Sequence, residues 1–143
     1  MPKIPVEFVI SLQEIEVVVM GRQRELGLLD KGSEIVIVRE DLCDELGLEV
    51  NRKKRIMMQT ANSEKKELQG YVEYLELEVE GVRTYAHAFV MQLAPYQLLL
   101  GRSWQKGVKL EKIEQENSSI EIKISDLGES RKRVVVPVEG VEH

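Results

Sequence analysis

Asp30-Lys31-Gly32-Ser33 separates two apolar runs, "LGLL" before it and "EIVIV" after it. A carboxylate delivered by the end of a buried strand, next to a glycine whose backbone can approach a ligand closely, has the makings of a general acid or base. The same residues also satisfy the rules for a β-turn, with aspartate at its first position and glycine at its third. On these residues alone both readings stand. A second D-x-G, Asp126-Leu127-Gly128, leads into "ESRKR" rather than an apolar strand and reads as a surface turn.

Other reactive side chains point to structure before chemistry. Cys43 is the single cysteine. It falls on the apolar side of a helical pattern without a neighbouring base, as a buried thiol does. His87 sits in an alternating strand with no second histidine or cysteine at ligand spacing, so no metal and no cofactor is expected. The basic clusters "NRKKR" at 51–55 and "RKR" at 131–133 read as solvated strand edges rather than as nucleic-acid contacts.

The elements that must position Asp30 are mostly strands. Short runs rich in Val, Ile, Leu and Tyr, broken by glycine or polar turns, predict strands near 6–10, 15–20, 25–29, 34–38, 55–60, 68–79, 83–91, 97–100, 108–114, 119–124 and 133–138. Hairpin turns are expected at Gly81 and at Asn117-Ser118. "REDLCDELGL" predicts one helix, with Leu42, Cys43 and Leu46 on one face and Gly47 as its stop. A second short helix is expected from Ser103, capped by that hydroxyl, with Trp104 anchoring it to the core.

Length and composition bound the rest. A chain of 143 residues with 43% hydrophobic and 31% charged residues fits one globular domain over 1–143, with a core at about 5–110, C-terminal strands at about 108–138 and a loose tail at 139–143. A net charge of −5 gives no reason to expect nucleic acid or an anionic membrane as a partner. No apolar run approaches the roughly 20 residues of a spanning helix. The lone cysteine and the start "MPKIPVEF", which lacks an apolar signal core, lead us to expect a cytoplasmic protein.

Four strings in a fixed order resolve the ambiguity at Asp30. They are "LLDKGSEI", "DLCDELGL", "MQTAN" and "LLLGRSWQ". Together they resemble the retropepsins, the aspartic proteases of retroviruses and LTR retroelements, and in particular the gag-pol polyprotein branch of retrotransposons. The resemblance covers roughly residues 5–110. It implies a mostly-β, closed retropepsin-type barrel, a single lobe with one or two short helices. It further implies an aspartic endopeptidase whose catalytic Asp30 is supplied once per chain, so that a homodimer completes the site and an extended polyprotein segment is the substrate. Two carboxylates about 3 Å apart share one proton. By the same likeness Lys31, Gly32 and Ser33 form the active-site loop, with the Ser33 hydroxyl bonding the outer carboxylate oxygen. A hairpin from about 57 to 70, carrying Gln59, Thr60, Ala61, Asn62 and Ser63, would be the substrate-covering flap. Its tip lacks the glycine-rich character of viral flaps. Leu100, Gly101 and Arg102 would support the loop, with Arg102 paired to Glu34, where viral enzymes more often carry aspartate.

Lys31 departs from this family's pattern. The family carries Thr or Ser there, a small hydroxyl that bonds across the two-fold axis. Lysine has no acceptor oxygen, and its ammonium is costly to bury without a partner. Impaired activity on a preserved fold is the expectation. The alternative is a catalytically inactive dimerisation or peptide-binding module, and a third reading is an unrelated β-rich binding domain.

Overall fold

The computed structural model describes residues 12–53, 56–59, 65–114, 116, 120–126 and 133–141. The expected strand near 6–10 and the turn at Asn117-Ser118 lie outside them. Seven strands form the principal sheet: β1 Leu12–Val19, β2 Gln23–Leu29, β3 Val36–Arg39, β6 Gly70–Val79, β7 Val82–Met91, β8 Leu98–Leu100 and β12 Glu139–Val141. Their order is β12-β1-β2-β8-β3-β7-β6, and β1 also pairs with β6 at Val18↔Glu78 and Val19↔Leu77. That last pairing closes six strands into a barrel with β12 appended to β1. The closed, mostly-β architecture is the one expected.

Local chemistry accounts for the hairpins. Between β6 and β7 the two loop residues Glu80 and Gly81 have φ of 46° and 84°, the positive pair that a two-residue turn needs to match strand twist. Helix α1, Glu40–Leu46, buries Leu42, Cys43 and Leu46 and stops at Gly47, whose φ of 62° is the left-handed cap conformation.

The end of β2, residues 27–29, with β3 and β8 reads as apolar because both faces are covered there, whereas the first half of β2 leaves Arg24 and Leu26 exposed. Leu29, Val36, Val38, Leu98 and Leu100 point into the main core with Ile15, Val17, Leu75, Leu77 and Val90. Leu28, Ile37 and Leu99 point the other way, into a second cluster with Leu68, Met91 and Ala94. Each such side chain, removed from water, contributes about 1.5–3 kcal/mol. Leu68 belongs to β5, Lys65–Leu68, which pairs with β4, Ile56–Gln59, in a separate two-stranded sheet. The base of that hairpin therefore sits on the outer face of the strands that carry the Asp30 loop.

A third sheet, in the order β11-β10-β9, is built from β9 Glu111–Glu114, β10 Ile120–Ser125 and β11 Arg133–Pro137, and sends Ile122, Ile124 and Val136 into the main core. Three expectations need correction. Residues 139–141 are not loose: they pair antiparallel with β1, Leu12↔Val141 to Glu14↔Glu139. Strand β3 starts at Val36 rather than at 34, because the Ser33 and Glu34 carbonyls accept from the amides of Arg102 and Ser103 instead of a neighbouring strand. Those bonds also explain helix α2, Arg102–Gly107, whose N-cap is Gly101 and not Ser103. Its first-turn donors are met by backbone carbonyls, so no capping hydroxyl is needed. Among the described residues no helix is long and apolar enough to cross a membrane.

Candidate active site

The parallel pairing of β2 with β8 puts Leu29 opposite Leu100 and brings the two following turns together. Asp30 emerges there. Its amide donates to the Leu100 carbonyl at 3.2 Å, and its Oδ1 accepts from the Gly32 amide at 2.7 Å. A Cβ at Gly32 would lie 3.1 Å from that same oxygen. The carboxylate is thus oriented by its own loop, with an acceptor oxygen left over.

Behind the loop stands α2. Gln105, nine-tenths buried, donates from Nε2 to the Leu100 carbonyl at 2.9 Å and to the Asp30 carbonyl at 3.3 Å. Gly101 lets the two turns touch: a Cβ there would fall 2.1 Å from the Ile35 oxygen and 2.7 Å from the Ser33 oxygen, a clash only glycine avoids. Arg102 and Glu34 form the expected ion pair. Both side chains are about half exposed, so the pair ties α2 to the loop more than it adds stability. Trp104 is buried and donates from Nε1 to the Thr84 hydroxyl at 3.0 Å, seating α2 against β7.

Ser33 does not reach the carboxylate. Its hydroxyl donates to the Ile35 carbonyl at 3.2 Å, closing a local two-residue turn. Gln59 ends β4 opposite Lys65, while Thr60, Ala61, Asn62 and Ser63 lie outside the described residues. Gln105 and Tyr96 are site neighbours that motif reading passed over. Gln105 was visible only as an amide on the buried side of α2, beside Trp104. Tyr96 carried no signal; its phenol is held above its ordinary range by burial first and then by the nearby Asp30 charge. Lys31 is exposed and stands beside Lys112 of β9, whose ammonium is pushed below the usual lysine range by desolvation and then by Lys31. Among the described residues no group of three or more His, Cys, Asp or Glu side chains could hold a metal ion.

A preorganised strand-end carboxylate within a closed barrel agrees with the sequence family. The model of the family described as "gag-polyprotein putative aspartyl protease" matches residues 15–106, more than half of the 143. The chain belongs to this family. It is a retropepsin-like aspartic protease domain, and the matched stretch runs from β1 through the Asp30 loop to α2. Among solved structures it is similar to the retroviral protease-like domain of Ddi1 from Leishmania major, with a TM-score of 0.67, 13% identity, and coverage of 91% of this chain and 95% of that one. At that identity the likeness bears on the fold. No curated protein matches the retropepsin-like chain.

Proposed function

We propose that this retropepsin-like domain is an aspartic endopeptidase that works as a homodimer on extended segments of a polyprotein. The observation that carries the reading is the Asp30 turn: one carboxylate per chain, oriented by Gly32 and braced from behind by Gln105 and Gly101. One such group cannot supply both an acid and a base, whereas two from paired copies can. In the dimer, one Asp30 takes a proton from a water that attacks the scissile carbonyl. The other, protonated, donates to the developing oxyanion. The first then passes the water's proton to the amide nitrogen as the C–N bond breaks, while the second takes its proton back from the diol, so that acid and amine leave and the pair is restored. The β4–β5 hairpin, seated on the second apolar cluster through Leu68, serves as the flap that adds strand-type hydrogen bonds to the peptide. A cytoplasmic setting belongs to the same reading.

Lys31 favours a second reading, the inactive peptide-binding or dimerisation module. It puts an ammonium where the mechanism wants a neutral hydroxyl, beside another ammonium, that of Lys112. Digestion of a peptide library at mildly acidic pH, with Asp30→Asn and Lys31→Thr alongside, separates the two. Cleavage lost in Asp30→Asn and raised in Lys31→Thr supports the protease. Cleavage that survives Asp30→Asn removes the mechanism, and none in either chain leaves the binding module.

A further inference from the structure

The chain carries a net charge of −5, yet one cavity reverses that sign. Beside the Asp30 loop, a space of about 520 Å³ is lined by Lys31, Arg102, Gln105, Lys106, Lys109 and Leu110. Lys112 adjoins it through its contact with Lys31. Arg102 is engaged with Glu34. Among the described residues none of Lys31, Lys106, Lys109 and Lys112 has a carboxylate in ion-pair contact.

The backbone holds these stems around one space. Lys106 lies in the last turn of α2, and the Lys109 amide bonds the Lys106 carbonyl at 3.1 Å, with Lys109 itself in the left-handed region at φ 49°. The Leu110 amide returns to the Gln105 carbonyl at 2.9 Å. Four ammonium groups in or beside one space, none of them in an ion pair among the described residues, repel one another, Lys31 and Lys112 most directly. An anion of more than one charge placed among them removes that repulsion.

The donors also discriminate between anions. A planar carboxylate is matched by a free guanidinium fork, but the one guanidinium here is already occupied by Glu34. Separate ammonium point charges suit a tetrahedral oxyanion, whose oxygens point in several directions. We propose that this cavity binds a small multivalent oxyanion of the phosphate type, held by Lys31, Lys106, Lys109 and Lys112. This site goes beyond proteolysis and does not require the dimer.

The same chemistry is borne by a free diphosphate and by a phosphodiester backbone, and the cavity's size favours the free anion. The test is titration calorimetry of the full chain with inorganic pyrophosphate at neutral pH and constant ionic strength. Saturable binding of one anion per chain is expected. Lys31→Gln and Lys106→Gln, both exposed and each checked for folding by circular dichroism, weaken it about tenfold, the scale of one charge-assisted hydrogen bond. Lys31→Glu weakens it further, whereas Arg24→Gln, on β2 and outside the cavity, leaves it unchanged. Absence of saturable heat, or an equal loss in Arg24→Gln, overturns the site. Tighter binding of a short single-stranded DNA that pyrophosphate cannot displace overturns the assignment to a small anion.

Discussion

Gln105 reaches across 75 positions of sequence to hold the Asp30 carbonyl, at 3.3 Å from its Nε2. The same amide nitrogen bonds the Leu100 carbonyl at 2.9 Å, so one buried side chain clamps the ends of both β2 and β8. The loop that bears the carboxylate is fixed from outside itself, and its geometry should be sensitive to a residue that never meets substrate.

Replacing that amide tests the clamp. Gln105→Leu keeps the buried volume but leaves the Asp30 carbonyl without this donor, a cost of about 1–3 kcal/mol. Chemical denaturation should show a lower midpoint with an unchanged slope. Gln105→Glu should be worse still, because a carboxylate would face two carbonyl oxygens. A Leu variant as stable as the parent would mean that the clamp contributes nothing.

At the active-site loop, Lys31→Thr is expected to strengthen self-association and raise proteolysis together. Two symmetry-related hydrogen bonds of about 1 kcal/mol each would tighten the dimer by roughly tenfold or more. Sedimentation velocity over a concentration series reads the first effect and peptide turnover the second. If neither moves, the lysine is not the obstacle.

The Cys43 thiol is raised from 9.0 to about 11 by burial first and then by the Asp44 and Glu40 carboxylates. Two consequences follow. At pH 8 the native thiol should resist disulfide-exchange reagents that label it at once in denaturant. The pH dependence has a definite sign: an unfolded thiol ionises above 9.0 while the folded one stays protonated, so stability is fully present below that pH and falls toward about 11. The loss is on the order of 2 kcal/mol. Denaturation midpoints measured across that window should flatten in Cys43→Ala.

Gln13 shares the inward parity of Ile15 and Val17 on β1 and is 8% exposed, yet among the described residues its Oε1 has no hydrogen-bond partner. Gln13→Leu should therefore raise the melting temperature, with a gain of about 1 kcal/mol from the desolvation no longer suffered by that oxygen. A lower melting temperature would reveal a donor to Oε1 in solution.

Much of this protein was legible because its signals are local. The turn at Glu80-Gly81, the stop at Gly47 and the buried face of α1 each depend on residues within a few positions of one another. The Glu34–Arg102 pair was legible for another reason, because a family pattern carried it across 68 positions. The reading failed in other places, in one of them although the family pattern supplied it. Ser33 closes onto Ile35 rather than the carboxylate. The start of α2 is capped by carbonyls from the Asp30 loop, which no feature of "GRSWQ" announces. Strand β12 looked like a tail because three residues have no periodicity to read; its partner is β1, at the other end of the chain.

By itself, the sequence determined the strand periodicities, the positions of the turns and the single carboxylate between two apolar runs, since these follow from side-chain pattern and backbone preference over a few residues. Only the tertiary structure decided that β3, β8 and the end of β2 are covered on both faces, that Gln105 clamps Asp30, and that Lys31 meets Lys112 at the rim of a cationic cavity. Those outcomes depend on closing a barrel. Closure brings together groups far apart along the chain, and no local preference encodes that proximity.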